Sequence, residues 1–108
     1  MKWYHNLYIG DSIGDQAKQI KRKLSRHVWM TSIYVIALAS NPQNLLDVIP
    51  SWELQQKSYP GKDICIVGLA KGYGEALELV RQIVDDTYQN TGDVDVRNYL
   101  LSNRRQEA

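Results

Sequence analysis

The sequence predicts one α/β domain with a three-layer αβα arrangement, a small parallel sheet and a βαβαβα element order. Short apolar segments suited to strands alternate with longer segments of helical periodicity. Two of the three predicted strands are apolar on both faces, as in parallel sheets that helices cover on both sides. The chain has 108 residues, the size of a single domain. These features together predict a Rossmann-like architecture.

The first strand and the first helix follow from two different periodicities. Apolar and polar side chains alternate from Trp3 to Ile9, which predicts a half-exposed strand at the edge of the sheet. A helix is then predicted to begin near Ser12 or Asp15. Its apolar stripe comprises Ile13, Ala17, Ile20, Leu24 and Val28, and its opposite face carries Lys18, Lys21, Arg22, Lys23 and Arg26.

The second strand is predicted from Ser32 to Ala39, because this segment is apolar on both faces. Asn41 is a favourable N-cap and Pro42 suits a first helical position, so a helix is predicted to begin there. Its buried stripe would be Leu45, Leu46 and Ile49, up to the interruption at Pro50. Ser51 is then predicted to cap a second short helix that runs through Trp52 and Leu54 to about Lys57.

The third strand is predicted from Asp63 to Ala70, next to the second strand, and a long helix follows it. The apolar stripe of that helix comprises Ala76, Leu77, Val80, Ile83, Val84 and Thr87. Glu75 and Glu78 suit its N-terminus, and Gly92 is a natural C-terminal stop. Residues 94–101 fit either a fourth strand or a short helix. The predicted domain spans residues 1–101, and residues 102–108 form a frayed tail.

Two strands have the pattern of interior strands, but a three-stranded sheet has only one interior position. The open edge therefore has to be covered, either by residues 94–101 or by a second copy of the chain. Seven Tyr and three Trp residues, which are enriched at interfaces, favour the second copy. The sequence thus predicts a homodimer, formed by edge pairing or by packing of the apolar helices.

Three loops are predicted at the carboxyl ends of the strands, where open parallel sheets bind ligands. The residues of this candidate site are Gly10, Asp11, Ser12, Ser40, Asn41, Lys71, Gly72, Tyr73 and Gly74. Backbone N–H groups at helix N-termini and the charge of Lys71 favour a small anionic ligand. The alternative is that Gly, Ser and Asn serve turn geometry and helix capping alone.

Composition and charge argue against several other functions. Residues 1–29 carry six Lys/Arg against two Asp, but the whole chain has a net charge of only +1 and no recognised nucleic-acid motif. Cys65 is the one cysteine and lies in an apolar run, so a disulfide, a cysteine-based zinc site and a reactive thiol are not expected. His5 and His27 have no partner at metal-ligand spacing. We expect no cofactor, no metal and no membrane span, and cytoplasmic residence.

The segment Leu7-Tyr8-Ile9-Gly10-Asp11-Ser12-Ile13 resembles the first sequence block of the GDSL (SGNH) esterases and lipases. In that family the serine is the nucleophile and a histidine near the C-terminus is its base. No histidine follows Ser12 at the required distance, and a serine without a base is not activated at neutral pH. The hydrolase interpretation is therefore rejected.

Residues 36–44 and Leu69-Ala70-Lys71-Gly72-Tyr73 resemble a family of small bacterial proteins with no established activity. That resemblance implies a fold and no chemistry. The sequence as a whole favours a non-enzymatic binding or accessory protein with an anionic small-ligand site. The alternative is a homo-oligomeric interaction module without a small ligand.

Overall fold

The computed structural model describes residues 2–38, 45–54 and 64–107, and it forms a four-stranded sheet with helices on both faces. The strands are β1 (Lys2–Ile9), β2 (Ile33–Leu38), β3 (Leu46–Pro50) and β4 (Cys65–Lys71). The helices are α1 (Ala17–Ser25), α2 (Ser51–Leu54), α3 (Tyr73–Thr91) and α4 (Val96–Glu107), with a 3₁₀ turn at Gly14–Gln16 before α1.

The sheet is mixed, so the predicted parallel βαβαβα, Rossmann-like order is wrong. The strand order is β1-β4-β2-β3. β1 pairs with β4 in parallel, whereas β2 is antiparallel to both β4 and β3. Two features predicted from the sequence are confirmed, since β1 lies at an edge and the two most apolar strands lie side by side. The error lay in the direction of β2.

The helix predicted after Pro42 is replaced, over its described part, by strand β3. Leu46 and Val48 pack on one face of the sheet. Ile49, the next residue after Val48, is buried on the opposite face. Leu45, placed in the buried stripe, is 45% exposed. The short helix at Ser51 is confirmed as far as Leu54. Ser40, Asn41, Pro42 and Lys57 lie outside the described residues.

Strand β3 covers the open edge of β2. From the sequence, the C-terminal segment or a second copy of the chain was expected to cover this edge. Leu38 pairs with Leu46 and Tyr34 with Pro50 along this antiparallel edge. The C-terminal segment is helix α4, with Val96 and Leu100 buried, and it continues to Glu107, past residue 101. The edge argument for a homodimer therefore loses its physical basis, and self-association has to be argued from another surface.

The sheet separates two hydrophobic cores, because neighbouring residues of a strand point to opposite faces. One core joins α1 to the sheet through Leu24, Val35 and Leu69. The other joins α3 and α4 to the sheet through Ile36, Val67, Ile83 and Leu100. This arrangement explains why β2 and β4 are apolar on both faces.

Helix α3 is fixed to the sheet along its length and ends where the sequence predicts. Ala76, Leu79 and Ile83 are buried, and Gly92 at the C-terminus adopts a left-handed φ of 75°. The Tyr8 hydroxyl donates a 2.7 Å hydrogen bond to the Asp86 carboxylate and so ties β1 to α3. Burial and this bond raise the pKa of Tyr8 above its ordinary value of 10.0, so the phenol stays protonated as the donor.

Candidate functional site

Two of the three predicted loops meet at one end of the sheet, where β1 and β4 terminate. β1 and β4 are parallel and Ile9 pairs with Leu69, so the residues that follow each strand lie side by side. The Gly10 N–H donates to the Leu69 carbonyl oxygen at 2.9 Å. The structure thus brings Gly10, Asp11 and Ser12 close to Lys71, Gly72, Tyr73 and Gly74.

A different segment takes the place of the third predicted loop. Because β2 is antiparallel to β4, its carboxyl end at Leu38 lies at the opposite end of the sheet from Lys71. Ser40 and Asn41 themselves lie outside the described residues. The amino end of β2 lies here instead, since Ile33 pairs with Lys71 and the Gly72 N–H donates to the Ser32 carbonyl oxygen at 2.6 Å.

The Glu75 carboxylate already binds backbone N–H groups of both predicted loops. One of its oxygens accepts from the Ser12 N–H at 3.1 Å and the other from the Lys71 N–H at 3.0 Å. Gly10 gives this carboxylate room, because a Cβ atom at that position would overlap it. The protein therefore supplies its own anion to the two loop N–H groups that were candidates for binding an external one.

Glu75 is held in its ionised form at this position. Partial desolvation raises the pKa of its carboxyl, but hydrogen bonds from the Lys71 and Ser12 N–H groups outweigh it, so the pKa lies below its ordinary value of 4.5. A pocket of about 250 Å³ beside it is lined by Asp11, Glu75 and Glu78 as its charged residues. The three carboxylates make this pocket beside Glu75 unfavourable for an anion.

On the other side of Lys71 lies a pocket of about 370 Å³, which we call the basic pocket. Its charged lining residues, among those described, are Lys23 of α1 and Lys71 of β4. The hydroxyl side chains of Thr31 and Ser32 and the amide of Gln16 add polar groups, and none of the described lining residues carries a carboxylate. The electrostatics of this pocket favour an anion.

The floor of the basic pocket is apolar. Its lining includes the buried side chains of Ile13, Ile20, Met30 and Ile33, which belong to the core between α1 and the sheet. Trp29 also lines the pocket and is 66% exposed. The pocket thus combines two cations and several hydrogen-bonding groups with an apolar and aromatic surface.

The segment that forms one wall of the basic pocket is anchored by backbone contacts. The buried Ser51 hydroxyl donates to the Met30 carbonyl oxygen at 3.2 Å, which joins α2 to this wall. Ser32 has a φ of 65°, a left-handed conformation that is uncommon for a residue other than glycine. Strained conformations of this kind persist only where the surrounding structure holds them, and they are frequent at binding sites.

Sequence reasoning found Lys71 but missed Lys23, Trp29, Thr31 and Ser32 as site residues. Lys23 stood out only as one of five cations on the first helix. Trp29 and Ser32 precede strand β2. A parallel sheet would have placed them at the opposite end of the strands from Lys71. The one available signal was that Trp29 is a large aromatic residue in the connection between the first helix and the second strand, since such connections often carry binding residues.

The described residues contain no group of three or more His, Cys, Asp or Glu side chains arranged to hold a metal ion. Cys65 is half-buried at the start of β4, at the opposite end of that strand from Lys71. Within the same described segments, no helix has the length and apolar character that crossing a membrane requires.

Comparisons with known proteins give no match: no protein-family model, no curated protein and no solved structure is significantly similar to this chain. The resemblance to a small bacterial family therefore stays a prediction. The fold and the site define a mixed α/β domain with a basic pocket beside strand β4.

Proposed function

We propose that this protein is a small non-enzymatic binding protein that holds an anionic small molecule in the basic pocket. The carrying observation is that Lys23 and Lys71, from two different elements, line one pocket in which no described lining residue is acidic. Cations from separate elements at a shared concavity focus a positive potential there. Of the predicted loop residues, this proposal keeps Lys71 at the centre of the site.

Three of the other predicted loop residues, Gly10, Ser12 and Gly72, support the site indirectly. Gly10 admits the Glu75 carboxylate, which binds the Ser12 and Lys71 N–H groups and so fixes the backbone of Lys71. The Gly72 N–H fixes Ser32 through its carbonyl oxygen. In this proposal Gly10, Ser12 and Gly72 position the pocket, and Lys23, Lys71, Thr31 and Ser32 bind the anion.

The lining indicates the chemical class of the ligand. Inorganic phosphate would use the two lysines and the hydroxyls, but it would leave Trp29 and the apolar floor without contact. A phosphate or carboxylate group on a planar apolar body would use both parts of the lining. We therefore propose an aromatic or otherwise apolar organic anion.

Binding fits this site better than catalysis does. Ser32 and Thr31 are the hydroxyl groups in the described lining, and that lining contains neither a histidine nor a carboxylate to act as their base. The lysines are suited to charge recognition. The alternative function, a self-associating interaction module, depends on a separate surface of α3.

We expect Lys71→Ala to weaken the binding of naphthyl phosphate, measured by titration calorimetry, by roughly tenfold or more, since one charge at about 4 Å contributes from about 1 kcal/mol in water to about 4 kcal/mol near a protein surface. Lys18→Ala is the matched control, because it removes the same charge from an exposed position on α1 outside the pocket. Wild-type protein should also bind naphthyl phosphate more tightly than inorganic phosphate. Equal losses in both variants, or no binding by the wild type, would contradict the proposal.

A further inference from the structure

Helix α3 carries an apolar stripe beside the face that it buries against the sheet. The stripe consists of Tyr73, Leu77, Val80, Val84 and Tyr88, which recur at intervals of three and four residues and so share one side of the helix. Tyr73 and Tyr88 are each 56% exposed and Leu77 is 47% exposed. The stripe extends over about 22 Å at 1.5 Å per residue.

The surface around the stripe is also apolar. The ring of Tyr73 meets that of Tyr34 on β2 edge to face, with centroids 5.7 Å apart, which continues the stripe onto the sheet. At the other end Val94, which is 44% exposed, lines a pocket of about 430 Å³ with Val84 and Tyr88, and the charged residues Arg81 and Asp85 complete its lining. A contiguous exposed apolar patch of this kind marks an interaction surface.

We propose that this stripe is the interface of a homodimer in which α3 packs antiparallel against α3 of a second copy. Four of the five stripe residues have the mirrored order that such a pairing requires, and the fifth, Val80, lies at the level of Arg81 of the other copy. Tyr73 and Tyr88 are equally far from the midpoint between Val80 and Arg81, and so are Leu77 and Val84. A two-fold axis at that midpoint therefore places tyrosine against tyrosine and leucine against valine.

Under the same two-fold symmetry, the charges that border the stripe in one copy lie near opposite charges in the second copy. Glu78, Arg81 and Asp85 lie along its solvent side, and Arg81 is already paired with Glu78 in its own helix. In an antiparallel two-fold pair, like flanks of the two helices meet. Arg81 of each copy then lies about 3 Å along the helix axis from Glu78 of the other copy and about 7.5 Å from Asp85. Alternating signs along one flank give this pairing orientation and specificity.

A second copy accounts for these observations better than a different partner does. A foreign helix would need an apolar stripe but would have no reason to match the mirrored order of Tyr73, Leu77, Val84 and Tyr88. The stripe leaves the basic pocket free, because the two surfaces share no lining residue. Dimer formation and anion binding are therefore independent and fail independently.

The test compares two leucines of matched exposure by sedimentation equilibrium. Leu77→Asp places a charge in the stripe, whereas Leu45→Asp, at a site 45% exposed beside β3, places the same charge outside it. We expect wild type and Leu45→Asp to sediment as dimers, with twice the 12.4 kDa chain mass. Leu77→Asp should raise the dissociation constant at least about tenfold while circular dichroism stays unchanged.

A charge exchange then tests the orientation. Arg81→Glu makes the flank wholly acidic, and the double variant Glu78→Arg, Asp85→Arg makes it wholly basic, so each is expected to be monomeric alone. Mixed in equal amounts they should form a heterodimer. Wild-type protein that stays at 12.4 kDa at several hundred micromolar, equal weakening by both Asp variants, or no heterodimer in the mixture would overturn the proposal.

Discussion

Replacing both lysines of the basic pocket, in the double variant Lys23→Glu, Lys71→Glu, is expected to abolish the binding of naphthyl phosphate. Each substitution removes an attraction and adds a repulsion of similar size. The combined change is at least about 3 kcal/mol, or a loss of more than about 100-fold in affinity. Titration calorimetry at low salt gives the affinity, and circular dichroism confirms that the variant is folded.

The control for this variant is Lys18→Glu, Arg22→Glu, which makes the same change in net charge on exposed positions of α1 outside the pocket. We expect it to lower the affinity only slightly, and the small effect should disappear at 0.15 M salt because exposed charges are screened there. If the control lost as much affinity as the pocket variant, binding would reside in the general field of the basic helix.

The second large effect concerns strand β3 and tests the fold. Ile49 is 4% exposed, so Ile49→Ala should lower the free energy of unfolding by about 2–4 kcal/mol. Leu45 is 45% exposed and precedes the strand, so Leu45→Ala should cost less than about 1 kcal/mol. Urea denaturation of the two variants measures both values.

The contrast between these two variants separates a strand from a helix. In the helix predicted from the sequence, Leu45 and Ile49 are four residues apart on one buried stripe, so the two substitutions would cost similar amounts. In the observed strand, only Ile49 lies in the core. Equal losses of stability would show that the pairing of β3 with β2 is wrong.

Segments with a clear period were predictable from the sequence. Alternation gave β1, apolarity on both faces gave β2 and β4, and helical spacing gave α1 and α3. Gly92 was recognised because a glycine after a long helix supplies the left-handed residue that ends it. In each of these elements local preference and tertiary packing favour the same structure.

The direction of β2 was not predictable because one short segment is ambiguous. Leu45, Leu46 and Ile49 fit a helical stripe, whereas Leu46, Val48 and Pro50 fit one face of a strand, and five residues are too few to decide. The consequence was large. Only seven residues separate Leu38 from Leu46, which allows an antiparallel connection but not the crossover of a dozen or more residues that parallel strands need.

The wrong direction of β2 also made the predicted site incomplete. Lys71 was found because it follows β4, but Lys23 and Ser32 reach the pocket only when the amino end of β2 lies beside Lys71. Glu75 was expected near a helix N-terminus for its charge. Its bond to the Ser12 N–H joins residues that are 63 positions apart in the chain, and no local pattern reveals it.

The central claim is that an anion binds between Lys23 and Lys71, and that it does not bind at the loop N–H groups occupied by Glu75. Amide NMR spectra recorded during a titration with naphthyl phosphate test this most directly. We predict saturable shifts at Thr31, Ser32 and the indole N–H of Trp29, with little change at Asp11 and Ser12. The largest shifts at Gly10, Asp11 and Ser12, or shifts that never saturate, would contradict the account.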